Sequence, residues 1–311
     1  MSRRRSILVV LLLATVPVAG CGLGAGGAPT GAQLVVTEDF GTRPVADLPQ
    51  PKVGGSDTVM RMLSRNLKVT TRFGGGFVQS IDGVAGGTRD GRPVDWFYYV
   101  NGVQAPKGAS ATKLRETDVV WWDHHDWGET NRIPAVVGSF PAPFSNGVDG
   151  KKLPLRIECS PADTPACQKV QDAMTAAGVF AAQGGLQQAI TAETLRIVVG
   201  EWKRIRADDT AGLLERGPQT SGVYAKPAAD GRSIAILDGQ GKTTRTLGPG
   251  DGLIAATKLE DNQPVWILTA VDAAGVLAVS QALDQGNLKD HFALAVDDGR
   301  AVAVPEVAAG R

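Results

Sequence analysis

Aromatic side chains are scarce in this chain, with six tryptophans, three tyrosines and eight phenylalanines in 311 residues. Cysteine and histidine are scarcer still, at three each. Neither sign of charge is in excess, since 32 basic residues face 32 acidic ones. Each shortage excludes something. Balanced charge argues against a nucleic-acid partner, which needs a basic excess on some face. A zinc site wants three or four convergent ligands. The adjacent His124 and His125 have no third histidine near them, because His291 lies in the far half of the chain. No G-x-S-x-G elbow or HExxH pair is present, and the runs Gly74-Gly75-Gly76 and Gly86-Gly87 read as turns bordering strands rather than phosphate cradles. Asp208-Asp209 and Asp297-Asp298 sit at a helix start and in a hairpin turn, where capping and turn chemistry explain them. The sequence therefore predicts no catalytic residue, metal or cofactor, and the chain reads as a non-enzyme.

The apolar run near the start is also short. MSRRR is followed by SILVVLLLATVPVAG and ends in VAGC, Val18 to Cys21. The charged start and short apolar stretch read as a secretory signal. The small residues before Cys21 resemble a bacterial lipobox, so 1–20 is expected to be a lipoprotein signal peptide and Cys21 the lipidated first residue. An ordinary secretory signal beside an accidental cysteine is the alternative. Several acyl chains would anchor the protein lastingly, where one alone is marginal. The expected location is then the outer face of the cell membrane, with membrane contact through the lipid only. GLGAGGAPTG loosely echoes a dinucleotide fingerprint, but no strand precedes it and no helix follows, so 21–31 reads as a flexible tether. Without Cys21 an even pair remains, Cys159 and Cys167 in IECSPADTPAC. An oxidising compartment favours a disulfide between them, against two free thiols or half a metal site.

After processing about 290 residues would remain, enough for two cores. Residues 32–127 read as a small β-rich unit. QLVVTEDFG is a strand, PVADLPQPKVGG is an irregular strand or a loop, and SDTVMRMLSRNL is a helix capped by Ser56 or Asp57. FVQSIDGV, DWFYYVNG and DVVWWDHHDW are further strands, with Asn101-Gly102 a tight-turn pair. Residues 128–152 form a Pro- and Gly-rich connector, with Phe140 and Phe144 expected to pin it to a surface. From 153 to 311, strands alternate with helices, as in an α/β domain with a mixed sheet. LPLRIEC, TLRIVVGEW, GLIAATKL and PVWILTAV are among the strands. PACQKVQDAMTAAG and DAAGVLAVSQALDQG are helices, the latter capped by Asp272 and ended at Gly286.

Against the general shortage, seven aromatics crowd between Trp96 and Trp127. Strand alternation sorts them. Trp96, Tyr98 and Val100 share one side of their strand, as Val120, Trp122 and His124 do of theirs. Phe97, Tyr99 and Trp121 take the other side, with Trp127 beyond them. In WDHHDW each side of the strand offers one carboxylate and one imidazole, Asp123 with His125 and His124 with Asp126, and hydrogen bonding at the rim of the sheet suits them.

TVMRMLSRN, GGFVQSIDG, DWFYYVNG and DVVWWD together resemble the transcobalamin-C-terminal-like family. That domain is shared by bacterial extracytoplasmic proteins and the C-terminal parts of transcobalamin and intrinsic factor. The resemblance covers about 32–127. It is carried by Trp96, Tyr98, Val100, Asn101 and Gly102, and by Asp118, Val119 and Trp122. His124 departs from it, standing where the family usually has an aromatic. The resemblance implies a β-grasp fold that binds a soluble ligand, so the whole is expected to be a β-grasp domain followed by an α/β domain. In cobalamin carriers this domain caps one face of the corrin ring. The resemblance therefore implies a small-molecule ligand, with a corrinoid first, and a membrane importer to receive it. Phe97, Tyr99, Trp121, Asp123, His125 and Trp127 are the candidate ligand-binding residues. Two covers suit that outer aromatic face: a flat ligand or partner, or the chain itself, through its second half or the VVGSFPAPF connector. The other function class is a cell-surface interaction module that docks a protein or wall polymer without a small-molecule ligand.

Overall fold

The computed structural model describes residues 30–188, 191–260 and 262–307. Cys21, the signal peptide and nearly all of the tether lie outside the described residues. The β-branched run at the start forms β1 (Gln33–Glu38), which pairs antiparallel with β2 (Arg43–Leu48). Helix α1 (Val59–Asn66) follows, burying Val59, Met60, Met62 and Leu63. Its cap is Thr58, whose hydroxyl accepts from the Arg61 amide at 3.3 Å, not Ser56 or Asp57. Asp57 is otherwise engaged: its carboxylate accepts from the Gly54 amide and from Arg65 Nε at 2.9 Å, two turns along the helix.

β3 (Val69–Arg72), β4 (Phe77–Ile81) and β5 (Val84–Ala85) form a separate small sheet, with a 3₁₀ turn over Phe73–Gly75 at its tip. β6 (Gly87–Arg89), β7 (Arg92–Val100), β8 (Val103–Gln104) and β9 (Val119–Asp126) complete the main sheet of this half, in the order β2-β1-β9-β7-β6 with β8 on β7. The last strand lies parallel beside the first, Val36 opposite Trp122. Asn101 and Gly102 turn the chain at φ 52° and 77°, the left-handed conformation this residue pair favours in tight turns. Leu34, Val36, Met62, Leu63, Trp96, Val120 and Trp122 share one core between sheet and helix.

The connector packs down. Phe140 and Phe144, the latter on α2 (Ala142–Ser145), lie 5.8 and 5.1 Å from the Trp266 ring. The second half is built on β10 (Leu155–Cys159), α3 (Thr164–Ala176), β11 (Ala181–Gly185) and β12 (Leu195–Glu201), followed by two short helices, α4 (Trp202–Ile205) and α5 (Pro218–Ser221). β13 (Ala225–Pro227), β14 (Ile234–Leu237) and β15 (Thr243–Leu247) make a small antiparallel sheet. β16 (Gly252–Thr257), β17 (Val265–Ala270), α6 (Ala273–Gln281), α7 (Gln285–Leu288), β18 (Ala293–Asp297) and β19 (Arg300–Val304) end the fold. The helix expected to run to Gly286 is thus two pieces. Asp284 accepts from the Asn287 amide at 3.0 Å and starts a new turn, as an N-cap does.

The seven-stranded sheet has the order β11-β10-β12-β17-β16-β18-β19. Its first four strands are parallel and the rest antiparallel. Near-continuous apolar runs in β12, β16 and β17 fit a sheet covered on both faces. α3 and α6 cover one face, over Ile197, Val199, Ile254, Trp266 and Leu268. On the other face Val198, Leu253, Ala255 and Ile267 share a second core with Trp202 and Ile205 of α4 and with Ala225, Ile234, Ile236 and Leu247 of the β13–β15 sheet. Val35, Tyr99 and Trp121 join it from the outer face of the first half's main sheet. The whole is mixed α/β with several sheets and few helices. Cys159 and Cys167 form a disulfide, Cα–Cα 6.2 Å, which ties the end of β10 to the first turns of α3. A loop this short contributes about 2–3 kcal/mol in the chain-entropy model.

Candidate functional site

β7 and β9 pair with Trp96 opposite His124, Tyr98 opposite Trp122 and Tyr99 opposite Trp121, so the aromatic band is split between two environments. On the helix side, the Trp96 indole N–H donates to the Val84 carbonyl at 3.0 Å and the Tyr98 ring stacks on Trp122 at 4.8 Å. His124 lies 5.0 Å from Trp96, and burial, aided by Arg89, pushes its pKa below the usual value. Asn101 and Asp118 lock the far end of this pair of strands. The Asn101 amide donates to Asp118 Oδ1 at 3.0 Å and to the Gly147 carbonyl, and its oxygen accepts from the Val119 amide at 2.9 Å. Burial raises the Asp118 pKa despite these partners. At Gly102 a side chain would meet the Val136 carbonyl at 2.9 Å. The Asn-Gly and Asp positions of the motif are buried and hold the fold together.

The opposite side is sealed. Tyr99 and Asp123 are 0 % exposed, and Trp121 and His125 are 1 % exposed. Phe292, from the second half, sets its ring edge-on 5.1 Å from Trp121, 5.5 Å from Tyr99 and 5.4 Å from His125. His125 is stacked between Phe97 at 4.5 Å and Phe40 at 4.6 Å. Asp123 lies below this layer and accepts from the Thr37 hydroxyl (2.5 Å), the amides of Phe40 (3.0 Å) and Gly41 (2.9 Å), and His125 Nδ1 (2.8 Å). Thr37 in turn accepts from the Trp121 indole at 2.7 Å. Burial, with Asp123 nearby, pushes the Tyr99 hydroxyl pKa far up.

Of the two covers the sequence allowed, the chain's own second half is therefore the one observed. Four of the candidate ligand residues, Tyr99, Trp121, Asp123 and His125, offer no surface to a ligand in this arrangement. Asp123 and His125 are also not rim groups, because the second half closes over them. Phe97 and Trp127 are half-buried, and the Trp127 indole donates to Asp95 at 3.2 Å. Phe40, Phe292 and Thr37 do the sealing, and sequence reasoning singled out none of them.

What stays open is a groove on the helix side. It has a volume of about 210 Å³, and Met60, Phe77, Val78, Trp96, Tyr98 and Trp122 contribute to its lining, as does Phe97. Gly108 and Ala109 form its far wall. At its mouth Phe77 is 36 % exposed, and Phe73, 6.4 Å from Phe77 between ring centres, is 86 % exposed. Its sequence signal was RFGGGF, two large apolar side chains flanking a glycine turn where no core needs them.

A second hollow, about 260 Å³, is walled by Thr191, Thr194, Arg196, Thr210, Asn262 and Gln263. Its one charge is already spent, since Arg196 binds Glu158 through two nitrogens and also Asp208. Among the described residues no group of three or more His, Cys, Asp or Glu side chains could hold a metal ion, and no helix is long and apolar enough to cross a membrane.

A domain of unknown function, DUF4430, is found at residues 56–126. That span runs from just before α1 to the end of β9 and is less than half of the chain. β1 and β2 lie outside it although they complete the same sheet. No curated protein matches the chain.

Proposed function

We propose that the chain is an extracytoplasmic ligand-binding protein, tethered to the outer face of the cell membrane by a lipid on Cys21, and that its ligand lies in the groove beside Phe77 and Tyr98. The observation that carries this reading is the groove itself. It is a concave, aromatic-lined surface that stays open on the first half while the second half covers the other face. Ligand sites are typically concave and mostly apolar with a few polar groups, and here Gln104 supplies an amide beside the rings. The β2-β1-β9-β7 order, with a helix after the first hairpin and the last strand parallel to the first, supports a β-grasp assignment. The resemblance to transcobalamin-type domains makes a corrinoid-like molecule the first ligand to test, with delivery to a membrane importer as its consequence. The groove is smaller than the roughly 300 Å³ at which enclosing pockets begin, so a corrinoid would lie across it, one face on the rings, with the remainder in solvent.

Trp96 and Trp122 contribute to the lining, so intrinsic fluorescence reports occupancy. We expect a saturable change when cobinamide or cobalamin is titrated into the chain from Gly22 onward, corrected for absorbance, and about tenfold or greater weakening in Phe77→Ala. Phe77 is part-exposed, so that variant keeps the fold. No saturable change with either corrinoid would remove them as ligands. The exposed Phe73 favours a second reading, in which the hairpin tip inserts into a protein or wall polymer. Binding of such a partner, lost in Phe73→Ala while corrinoids give no signal, would select it.

A further inference from the structure

Sheet edges present unpaired N–H and C=O groups, and natural proteins guard them with charges, prolines, bulges or very short strands. Most edges here are guarded. β2 carries Arg43, Pro44 and Asp47, β6 carries Arg89, β3 ends at Arg72, β13 holds Lys226 and Pro227, β15 holds Arg245, and β19 begins at Arg300. β5 has two residues. β11 is the exception among the described residues. It is the outermost strand of the seven-stranded sheet, its sequence AAQGG has neither charge nor proline, and its register with β10 runs unbroken from Ala181 to Gly185. Immediately before it, Phe180 is 89 % exposed.

We propose that β11 pairs antiparallel with β11 of a second copy of this chain, about a two-fold axis through Gln183, so that the two large sheets become one. The strand is complementary to itself in that register. Centring on Gln183 sets Phe180 opposite Leu186 of the second copy, Ala182 opposite Gly184, and Ala181 opposite Gly185. Within β11, Ala182 and Gly184 alternate with the α3-facing Ala181 and Gln183. Phe180 and Leu186 flank the strand in the same alternation, Leu186 partly buried against the core that holds Val198 and Ile267, so a Phe–Leu pair would close each end of a row of small residues. Ala181 and Gln183 take the α3 face. Ala181 joins the core with Val170 and Met174, and Gln183 Nε2 donates to Gln171 at 3.3 Å. A two-fold axis places the central residue against its own copy, where any charge would repel itself. A neutral amide can donate and accept there. Gly184 has a reason of its own, since a Cβ would lie 2.2 Å from the Arg156 guanidinium. Pairing of strands this short gives a weak, concentration-dependent dimer, which two copies tethered to one membrane would favour. The proposal does not depend on the ligand reading.

Sedimentation velocity of the chain from Gly22 onward, over a concentration series, tests it. We expect a reversible monomer–dimer equilibrium, weakened about tenfold or more by Phe180→Asp. The far-UV spectrum should be unchanged, because Phe180 touches little. Opposed positions in an antiparallel pair have Cβ atoms about 4.5–5.5 Å apart, so Gln183→Cys should cross-link two copies under mild oxidation. Gln168→Cys, exposed on α3, should not. A monomer at every concentration overturns the proposal. So does a dimer that Phe180→Asp leaves unchanged, or one in which Gln183→Cys fails to cross-link.

Discussion

Replacing Phe292 with alanine should destabilise the chain by about 3–5 kcal/mol, the usual cost of removing a buried phenylalanine. The site has little means of collapsing to fill the space. Phe292 is 4 % exposed and meets Phe40, Tyr99, Trp121 and His125 edge-on, with ring centres 5.1–5.5 Å away. Those rings are themselves pinned, Trp121 by its bond to Thr37 and His125 by Asp123. Edge-to-face pairs add about 0.5–1.5 kcal/mol each beyond area burial, and all four would be lost together. Because Phe292 enters from the second half and the rings belong to the first, the variant should also loosen one half from the other. Urea unfolding followed by tryptophan emission and by far-UV circular dichroism should give coincident curves for the parent. In Phe292→Ala the emission change should come at lower denaturant. Coincident curves with an unchanged midpoint would show that this contact does not join the halves.

Asp123→Ala should cost at least about 3 kcal/mol, since each buried donor left without an acceptor costs about 1–3 kcal/mol. Its carboxylate accepts from four groups, two of them the backbone amides of Phe40 and Gly41. Those amides belong to a loop in an uncommon conformation: Asp39 and Phe40 have φ of 52° and 59°, and at Gly41, φ 87°, a side chain would lie 1.7 Å from the Asp290 carbonyl. Left-handed backbone at a residue as bulky as Phe40 persists only where its surroundings hold it, and Asp123 is the group that does so. Asp123→Asn keeps the shape and one acceptor oxygen but turns an NH₂ toward a donor, so its loss should be intermediate. Thermal unfolding of the parent and both variants should rank them parent, Asn, Ala. An Asn variant as stable as the parent would mean that shape, not acceptance, is what matters there.

Local periodicity made much of this fold legible. Alternation along DWFYYV and VVWWDHH placed Trp96, Tyr98 and Trp122 on one face and Tyr99, Trp121, Asp123 and His125 on the other, and the strands carry them that way. What alternation cannot convey is which surface covers a face. The cover of Trp121 is Phe292, far along the chain, and nothing local to DHFALAV marks it as the partner of a distant sheet. Phe40 was hidden for a different reason, because its side chain reaches the interface only through a left-handed turn that a strand reading of VVTEDFG passes over. Short-range competition explains the smaller departures. Thr58 caps α1 because Asp57 is committed to Gly54 and Arg65. Asp284 divides a helix that hydropathy alone would continue. The open groove was legible only in part. Trp96, Tyr98 and Trp122 stood out as motif residues with an expected role in the core, but the lining residue Phe77 and its neighbour Phe73 are side chains that no periodic pattern requires.

Amide hydrogen exchange of the chain from Gly22 onward, with and without saturating cobinamide, tests most directly whether the ligand lies in the groove. Ligand in the groove should bring new protection at Phe73–Val78 and Gln104–Ala109, the two segments bordering it, with exchange at Thr37–Gly41 and Asp290–Phe292 unchanged. Protection confined to those last two segments would contradict that placement, because the ligand would then have parted the two halves and reached the aromatic face that the second half covers.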